Sequence, residues 1–396
     1  GPTTEHEVDI DGLAPNSRYY YAVGTESEVL AGADAGHFFD TAPELGVPRP
    51  MRLWVMGDSG QGNGPAVRMR DAYYDHAAAA GLDTDLILML GDNAYPSGTQ
   101  LQYQYNLFDI FRDQLAKTTL WATIGNHDGF DSGAGSWPYY DIFTFPEQGQ
   151  VGGVASATEQ YYSFDHGNVH FIVLNSMEVI TPGFGDSMLA WLEADLTDVT
   201  EDWIIVLFHH PPYSKGSHDS DDPADSSGRL FWMRENVVPL LEDYGVDLVL
   251  TGHSHTYERS YLIDGHYGDS TTFLESMKVD PGNGNENEDG AYVKNSRSAV
   301  PYTGAGDGAV YAVAGSSSSL SPGAAVDLGG SEPNHPAMVV SLYEVGSLVL
   351  DVNGNRVDAQ FLNEDGLFTD AFTMFKDAPT VAPAAGFSAT PRVGVA

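Results

Sequence analysis

Cysteine is absent from the 396-residue chain, and basic residues are scarce. Without cysteine there are no disulfides and no thiolate ligands for a metal. Only 17 Lys and Arg stand against 56 Asp and Glu, which gives a formal net charge of −39. This charge excludes wrapping by nucleic acid and binding to anionic membrane surfaces. An anionic ligand would therefore need a local positive charge, which bound metal ions supply.

Long apolar runs are also missing. No segment approaches the ~20 apolar residues of a membrane-spanning helix, so we expect no membrane insertion. The chain opens Gly1-Pro2, as after removal of a tag by a protease, and shows no signal peptide. We expect a secreted or periplasmic protein whose export signal is not part of this sequence.

Residues 1–45 predict a small β module. Tyr19, Tyr21 and Val23 alternate on one face after a Pro-Asn turn. The pattern resembles the tyrosine corner of a fibronectin-III-like sandwich, in which a Tyr hydroxyl bonds back to the upstream loop. Only about three of the roughly seven strands of such a sandwich fit here, so the module is predicted to be partial. A β-rich arm packed on the main domain is the alternative.

The main domain is predicted over residues 46–376, ahead of an Ala/Pro-rich tail at 377–396. Strand and helix patterns alternate through its first 200 residues, which is typical of a layered α/β fold with helices outside the sheet. The second half is richer in strands, and we interpret the Gly- and Asn-rich stretch 264–308 as a surface loop. Strands are predicted at 52–57, 85–91, 119–124, 160–165, 168–175, 203–208 and 247–251, and helices near 65–80, 100–116, 186–197 and 228–244.

Five short polar blocks follow predicted strands. Ligands collect at the carboxyl ends of strands in open α/β sheets, so blocks spread over 200 residues can meet. Carboxylate and imidazole groups suit hard and borderline metals. Seven candidate ligands are too many for one zinc ion and fit two ions about 3.5–4 Å apart. The candidates are Asp58, Asp92, Tyr95, Asn126, His209, His253 and His255.

The blocks resemble the calcineurin-like metallophosphoesterases, and more closely their purple acid phosphatase branch. The generic family opens with Asp-x-His, whereas this chain has Asp58-Ser59-Gly60 and no His there. The purple branch replaces that His with a Tyr three residues after the bridging Asp, and Tyr95 stands in that place here. The resemblance implies a four-layer α/β (α+β) sandwich of two mixed β-sheets flanked by helices. It also implies a binuclear centre with Fe(III) as the first ion and Zn, Mn or Fe(II) as the second.

The resemblance assigns each ligand to an ion. It implies that Asp58, Tyr95 and His255 hold the first ion, that Asn126, His209 and His253 hold the second, and that Asp92 bridges them.

Further residues are candidates for substrate contact. The resemblance assigns His127 to transition-state stabilisation and protonation of the leaving group, with Asp128 orienting its ring. His218, nine residues after His209, matches a phosphate-binding His of the plant enzymes, against an exposed loop residue as the alternative. His210 and Arg259 each have two interpretations: the residue supports the metal ligands from beside them, or it contacts the substrate directly. The acidic run 219–225 favours a solvated loop over a third metal site.

The leading hypothesis is hydrolysis of phosphate monoesters by a metal-bound hydroxide, with a small phosphate ester as the partner. A phosphodiesterase acting on nucleotides or phospholipid headgroups is the alternative enzyme, because the same metal core serves both. A catalytically silent binding module is the alternative from another class. The oligomeric state stays open.

Overall fold

A computed structural model describes residues 6–129, 137–297, 306–321 and 335–377. The predicted tail lies outside these residues, apart from its first position. Within the described ranges the strands, numbered in chain order, are β1 Arg18–Tyr20, β2 Ala22–Gly24, β3 Val29–Gly32, β4 Phe38–Asp40, β5 Met51–Met56, β6 Leu86–Met89, β7 Thr119–Ala122, β8 Tyr162–His166, β9 Val169–Val173, β10 Trp203–Phe208, β11 Leu248–Thr251, β12 Tyr257–Ser260, β13 Leu262–Ile263, β14 Lys278–Asp280, β15 Tyr292–Lys294, β16 Val310–Ala314, β17 Met338–Leu342, β18 Gly346–Asn353, β19 Arg356–Asn363 and β20 Phe368–Lys376.

Two seven-stranded mixed sheets form the centre of the main domain. The first sheet has the strand order β15-β20-β19-β18-β5-β6-β7, and the second has the order β17-β12-β16-β11-β10-β9-β8. Strands β5, β6 and β7 run parallel in the first sheet, as do β9, β10, β11 and β16 in the second. The parallel segments correspond to the strand–helix alternation of the sequence.

Helices cover the outer faces of both sheets. The α-helices are α1 Gly64–Ala80, α2 Gln100–Gln102, α3 Arg112–Leu115, α4 Pro138–Ile142, α5 Phe184–Asp198, α6 Arg229–Trp232 and α7 Val238–Asp243. Strand β10 shows the layering, because Ile205 and Leu207 join the core between the sheets while Ile204 and Val206 pack with the outer helices. Side chains that alternate across a strand thus serve two cores. The predicted four-layer sandwich is confirmed.

Two helices differ from the sequence prediction. The helix expected at 100–116 is divided by a π-helical segment, Tyr103–Phe108, and the one expected at 228–244 by another, Met233–Val237. In the second case Pro239 stands two residues after the segment, and its ring and missing N–H disfavour a regular α-helical turn before it. None of the described helices is both long and apolar enough to cross a membrane.

The N-terminal strands form two small antiparallel pairs, β1 with β4 and β2 with β3. The backbone N–H of Ala14 donates to the Tyr19 hydroxyl at 2.9 Å, which is the tie to the upstream loop expected from the sequence. Tyr21 donates its hydroxyl to the Ala116 carbonyl at 2.7 Å, so the module also contacts the main domain. The fibronectin-III-like assignment and the boundary at residue 45 stay predictions.

The stretch 264–308, expected as a loop, contributes strands to the fold. Strand β15 joins the edge of the first sheet beside β20, with Tyr292 and Lys294 buried and Val293 exposed. The Lys294 ammonium lies 2.9 Å from the buried Asp247 carboxylate. A strand of three residues is too short to produce a clear alternation in the sequence, which explains the wrong expectation.

Candidate metal centre

The polar blocks lie where the parallel strands of the two sheets end. Asp58 follows β5, Asp92 follows β6 and Asn126 follows β7, all in the first sheet; His209 follows β10 and His253 follows β11 in the second. The two sheets approach closely here, because a Cβ on Gly57 would lie 3.2 Å from the Cα of Gly252. The structure therefore brings all seven predicted ligands to one place.

The first group of ligand atoms surrounds the Tyr95 hydroxyl. This oxygen lies 3.0 Å from Asp58 Oδ1, 2.9 Å from Asp92 Oδ2 and 3.0 Å from His255 Nε2. His255 Nε2 lies 3.3 Å from Asp58 Oδ1. Ligands bound at right angles to one ion at about 2.1 Å stand about 3 Å from each other. The spacing of these four atoms fits the coordination shell of a single ion.

The second group surrounds His209 Nε2. This nitrogen lies 3.0 Å from Asn126 Oδ1, 3.2 Å from His253 Nδ1 and 3.5 Å from Asp92 Oδ2. The other ring nitrogen of His209 lies 2.8 Å from the Leu90 carbonyl, so it carries the proton and leaves Nε2 free to bind. Asp92 Oδ2 faces both groups, as expected of a bridging ligand.

The backbone of this centre is strained where the ligands attach. Asp58, Asp92 and His253 have positive φ angles of 56°, 56° and 68°. Such left-handed conformations cost about 1 kcal/mol or more each for residues with a Cβ, and they cluster at functional sites. Glycines provide the space around them, since a Cβ on Gly125 would lie 2.3 Å from Asp92 Oδ1.

Backbone donors aim the two carboxylates. The N–H of His127 donates to Asp92 Oδ1 at 2.7 Å, and the N–H of His253 donates to Asp58 Oδ2 at 2.7 Å. One oxygen of each carboxylate is thereby fixed, and the other faces the ligand groups. This pre-orientation fits ligands that bind metal.

The electrostatics of the centre call for a cation. Burial raises the pKa of Tyr95 well above 10, and the neighbouring Asp58 and Asp92 raise it further. Burial opposes ionisation of Asp92 as well, but the adjacent His209, when it is protonated, holds the pKa of Asp92 below its usual range. Tyr95 therefore keeps its proton unless a bound cation offsets these effects, so a phenolate here requires a metal ion.

His127 occupies the open side of the centre. Its side chain is 38% exposed, its Nε2 lies 4.0 Å from Asp92 Oδ2, and its ring packs against Tyr95 at 4.3 Å between centroids. Nδ1 lies 2.7 Å from the carbonyl of Pro96, to which it donates. Nε2 is thus directed at the space above the ligands, where a substrate would enter.

Asp128 does not orient this ring, contrary to the sequence prediction. It is completely buried, and its carboxylate accepts from the N–H groups of Asn93 and Gly125 and from the Tyr103 hydroxyl, all at 2.8 Å. It joins the loop that carries Asp92 to the loop that carries Asn126. The Pro96 carbonyl takes the orienting role instead, and no pattern in the sequence marks a backbone carbonyl for it.

His218 lies beside the second ligand group, and its contact with a phosphate stays a prediction. Its ring stacks on that of His253 with 3.8 Å between centroids, and 33% of its side chain is exposed. Its Nδ1 lies 2.8 Å from Asp225 Oδ1. The position is compatible with contact to a phosphate above the second ligand group.

His210 and Arg259 do not face a substrate, which corrects the direct-contact alternative for both. His210 is buried with Nδ1 2.8 Å from Ser176 Oγ, and burial together with His209 holds its pKa well below 6.5. Arg259 forms a two-point ion pair with Asp370 at 2.6 and 2.8 Å and is 1% exposed. This pair links β12 of the second sheet to β20 of the first, so Arg259 supports the fold behind the centre.

Three serines and one aspartate at the centre were not predicted. Ser226 Oγ lies 2.6 Å from His253 Nε2, and Ser319 and Ser321 Oγ lie 3.0 and 3.3 Å from His255 Nδ1. Asp225 belongs to the acidic run interpreted as a solvated loop, yet it bonds to His218. The four-serine run 316–319 was the only signal in the sequence for any of them.

Comparisons with known proteins identify a family and several relatives. The profile of the family described as calcineurin-like phosphoesterase matches residues 51–257. Purple acid phosphatase 23 of Arabidopsis thaliana is 28% identical over 285 residues, which cover 64% of this chain and 57% of that protein. Purple acid phosphatase 21 of the same plant is 31% identical over 264 residues, covering 64% and 53%. The chain spans about half the length of these curated relatives.

Solved structures show the same fold. The purple acid phosphatase PPD1 from seeds of yellow lupin (Lupinus luteus) superposes with a TM-score of 0.65 at 17% identity, covering 95% of this chain and 64% of that one. PhoD superposes with a TM-score of 0.58 at 16% identity, covering 97% and 80%. At such identities the likeness establishes the architecture alone.

Proposed function

Since the chain belongs to the calcineurin-like phosphoesterase family, we propose that it is a phosphatase that hydrolyses small phosphate monoesters at a two-metal centre. One observation carries the proposal: seven donor side chains form two groups that share Asp92 Oδ2. Relatives named purple acid phosphatases favour a monoester substrate over a diester.

The residues present fit two ions. Asp58, Tyr95 and His255 would hold the first ion, and Asn126, His209 and His253 the second, with Asp92 between them. We propose Fe(III) for the first position, because a phenolate is a hard anionic ligand, and Zn, Mn or Fe(II) for the second. When bound, such ions neutralise phosphate charge and lower the pKa of water.

The chain's own residues bind and orient the ester. With Nδ1 donating to the Pro96 carbonyl, His127 presents Nε2 to the substrate side, where the doubly protonated ring can stabilise the transition state or give the Nε2 proton to the leaving oxygen. His218 lies beside the second ligand group and is positioned to contact a phosphate oxygen. Because the protein carries a net charge of −39, these local groups and the ions must attract the anionic substrate.

Kinetics with metal-replete protein separate the candidate functions. We expect kcat/KM for p-nitrophenyl phosphate to exceed that for bis-p-nitrophenyl phosphate. A preference for the diester would replace the proposal with a phosphodiesterase. Absence of turnover on both, with two ions bound per chain, would favour the binding module.

Tyr95→Phe tests the metal assignment. We expect metal analysis to find iron in the wild-type protein, together with a visible absorption band that Tyr95→Phe abolishes. Tyr103→Phe is the control, because Tyr103 is a buried tyrosine nearby whose hydroxyl bonds to Asp128 rather than to the ligands. A colourless, fully active protein with only divalent metal would refute iron and leave the phosphoesterase proposal in place.

Export to the periplasm or the exterior remains a prediction from the sequence. Fractionation of cells that express the protein from its native gene would test it; retention in the cytoplasm would contradict it.

A further inference from the structure

A chain of hydrogen bonds links the predicted phosphate-binding histidine to a metal ligand. His218 Nδ1 lies 2.8 Å from Asp225 Oδ1, the Ser226 hydroxyl donates to the same oxygen at 2.7 Å, and Ser226 Oγ lies 2.6 Å from His253 Nε2. Asp225 Oδ2 is fixed by the N–H of Asp219 at 2.8 Å. The four side chains thus form one connected unit.

The directions of these bonds determine the tautomer of His253. The Ser226 proton points to the Asp225 carboxylate, which can only accept, so Ser226 Oγ accepts the proton of His253 Nε2. His253 Nδ1 is then unprotonated, and it is this atom that lies 3.2 Å from His209 Nε2 in the second ligand group. A metal ligand requires this unprotonated nitrogen.

The backbone adopts a disfavoured conformation to place Ser226. Ser226, Ser227 and Gly228 follow one another with φ angles of 49°, 59° and 84°. Left-handed conformations are unfavourable for serine, and they persist where surrounding contacts impose them. Ser226 is half-buried against the centre, whereas Ser227 is exposed. The strained turn therefore directs one specific hydroxyl at His253.

We propose that Asp225 and Ser226 are positioning residues that hold His253 in the tautomer that binds the second ion and join it to His218 at the phosphate side. The proposal rests on the proposed two-metal phosphatase function. It implies that a change at Ser226 lowers mainly the affinity for the second ion. A change at Asp225 should lower this affinity and also raise the KM for the ester.

Ser226→Gly and Ser227→Gly form a matched pair. Both relieve a left-handed serine, but only the first removes the hydroxyl that contacts His253. We expect chelator competition on the holoenzyme, without substrate, to show the second ion held about 10- to 100-fold less tightly in Ser226→Gly. Ser227→Gly should match the wild-type protein.

Two further variants test whether an acceptor at position 226 restores metal affinity and whether Asp225 acts on His218. Ser226→Asn tolerates the left-handed backbone and supplies an amide oxygen that can accept from Nε2–H, so it should recover much of the lost affinity. Asp225→Asn should raise KM for p-nitrophenyl phosphate as His218 loses its charged partner.

Three results would overturn the proposal: wild-type metal affinity in Ser226→Gly, equal losses in Ser226→Gly and Ser227→Gly, or no recovery with Ser226→Asn. A wild-type protein that binds two ions and hydrolyses no ester would refute the proposed function instead. The affinity comparison would then still decide the role of Ser226.

Discussion

His170, outside the metal centre, should make the stability of the protein depend on alkaline pH. It lies on β9 with Nδ1 2.6 Å from Asp165 Oδ1 and Nε2 2.9 Å from Asp195 Oδ2, and its side chain is 2% exposed. Burial alone would lower the pKa of His170, but the two carboxylates outweigh it and raise the pKa to about 9. The imidazolium is therefore the native form at neutral pH.

The magnitude follows from linkage. The ordinary pKa is 6.5 and the folded value about 9, and each pH unit of difference corresponds to about 1.4 kcal/mol, so the contribution is about 3 kcal/mol. Because the pKa is raised on folding, this stabilisation is complete below pH 6.5. It is lost as the pH rises through about 9.

Urea unfolding of the wild-type protein and His170→Gln, from pH 6.5 to pH 10, measures this contribution. Comparing the two proteins at each pH cancels the pH dependence of the metal centre, which both share. We expect the advantage of the wild-type protein to shrink by about 3 kcal/mol across this range. A difference in free energy of unfolding that stays constant with pH would refute a charged His170.

His166, four residues earlier on the same hairpin, is a control with the opposite sign. Burial, and then Arg49, lower the pKa of His166 to about 4. A lowered pKa stabilises the neutral form, so its contribution is present above pH 6.5 and lost as the pH falls toward 4. His166→Gln should differ from the wild-type protein in pH dependence on the acid side alone.

Two further substitutions test the metal centre and its support. Gly125→Ala would place a Cβ 2.3 Å from Asp92 N and Oδ1, so we expect at least a roughly 10-fold loss of metal affinity by chelator competition. Gly64→Ala is the control and should lose no metal affinity, because the atom nearest to its Cβ is the flexible end of an arginine. Unchanged metal affinity in Gly125→Ala would contradict the packing argument. Arg259→Met leaves the Asp370 carboxylate buried without its partner and should lower the free energy of unfolding by about 3–5 kcal/mol, while KM of the folded fraction stays unchanged. A raised KM without loss of stability would instead assign Arg259 to the substrate.

The meeting of the seven candidate ligands could be predicted because their positions follow from local rules. Apolar runs mark the strands, and parallel strands bring their carboxyl ends together. Asp58, Asp92 and Asn126 each come within four residues of such a strand end. Ligand positions therefore depend on where each strand ends along the chain, which the sequence displays directly.

The supporting contacts could not be predicted, because they join distant parts of the chain. Arg259 and Asp370 are 111 residues apart and pair across two sheets. Nothing in the sequence distinguishes Asp370 from the other acidic residues as the partner. The choice depends on which strands become neighbours, and strand order at the sheet edges was not deduced.

The position of His210 could have been anticipated. Neighbouring residues at the end of a strand point to opposite sides. Since His209 faces the ligand groups, alternation predicts a different direction for His210, which bonds to Ser176 and packs beside His253 with 4.4 Å between ring centroids. Alternation alone thus argues against substrate contact by both histidines.

The glycines explain why the pattern in the sequence is so informative. Gly57, Gly91 and Gly252 each precede a ligand with positive φ. Each also makes room for another segment of the chain: a Cβ on Gly91 would lie 2.5 Å from His209 Nδ1, one on Gly252 would lie 2.5 Å from Asp58 Oδ2, and one on Gly57 would lie 2.6 Å from the carbonyl of Ala314 at the end of β16. A side chain at any of the three glycines would therefore displace a group in a different segment. A glycine directly before each of these ligands therefore indicates in the sequence where the segments of the centre pack closely.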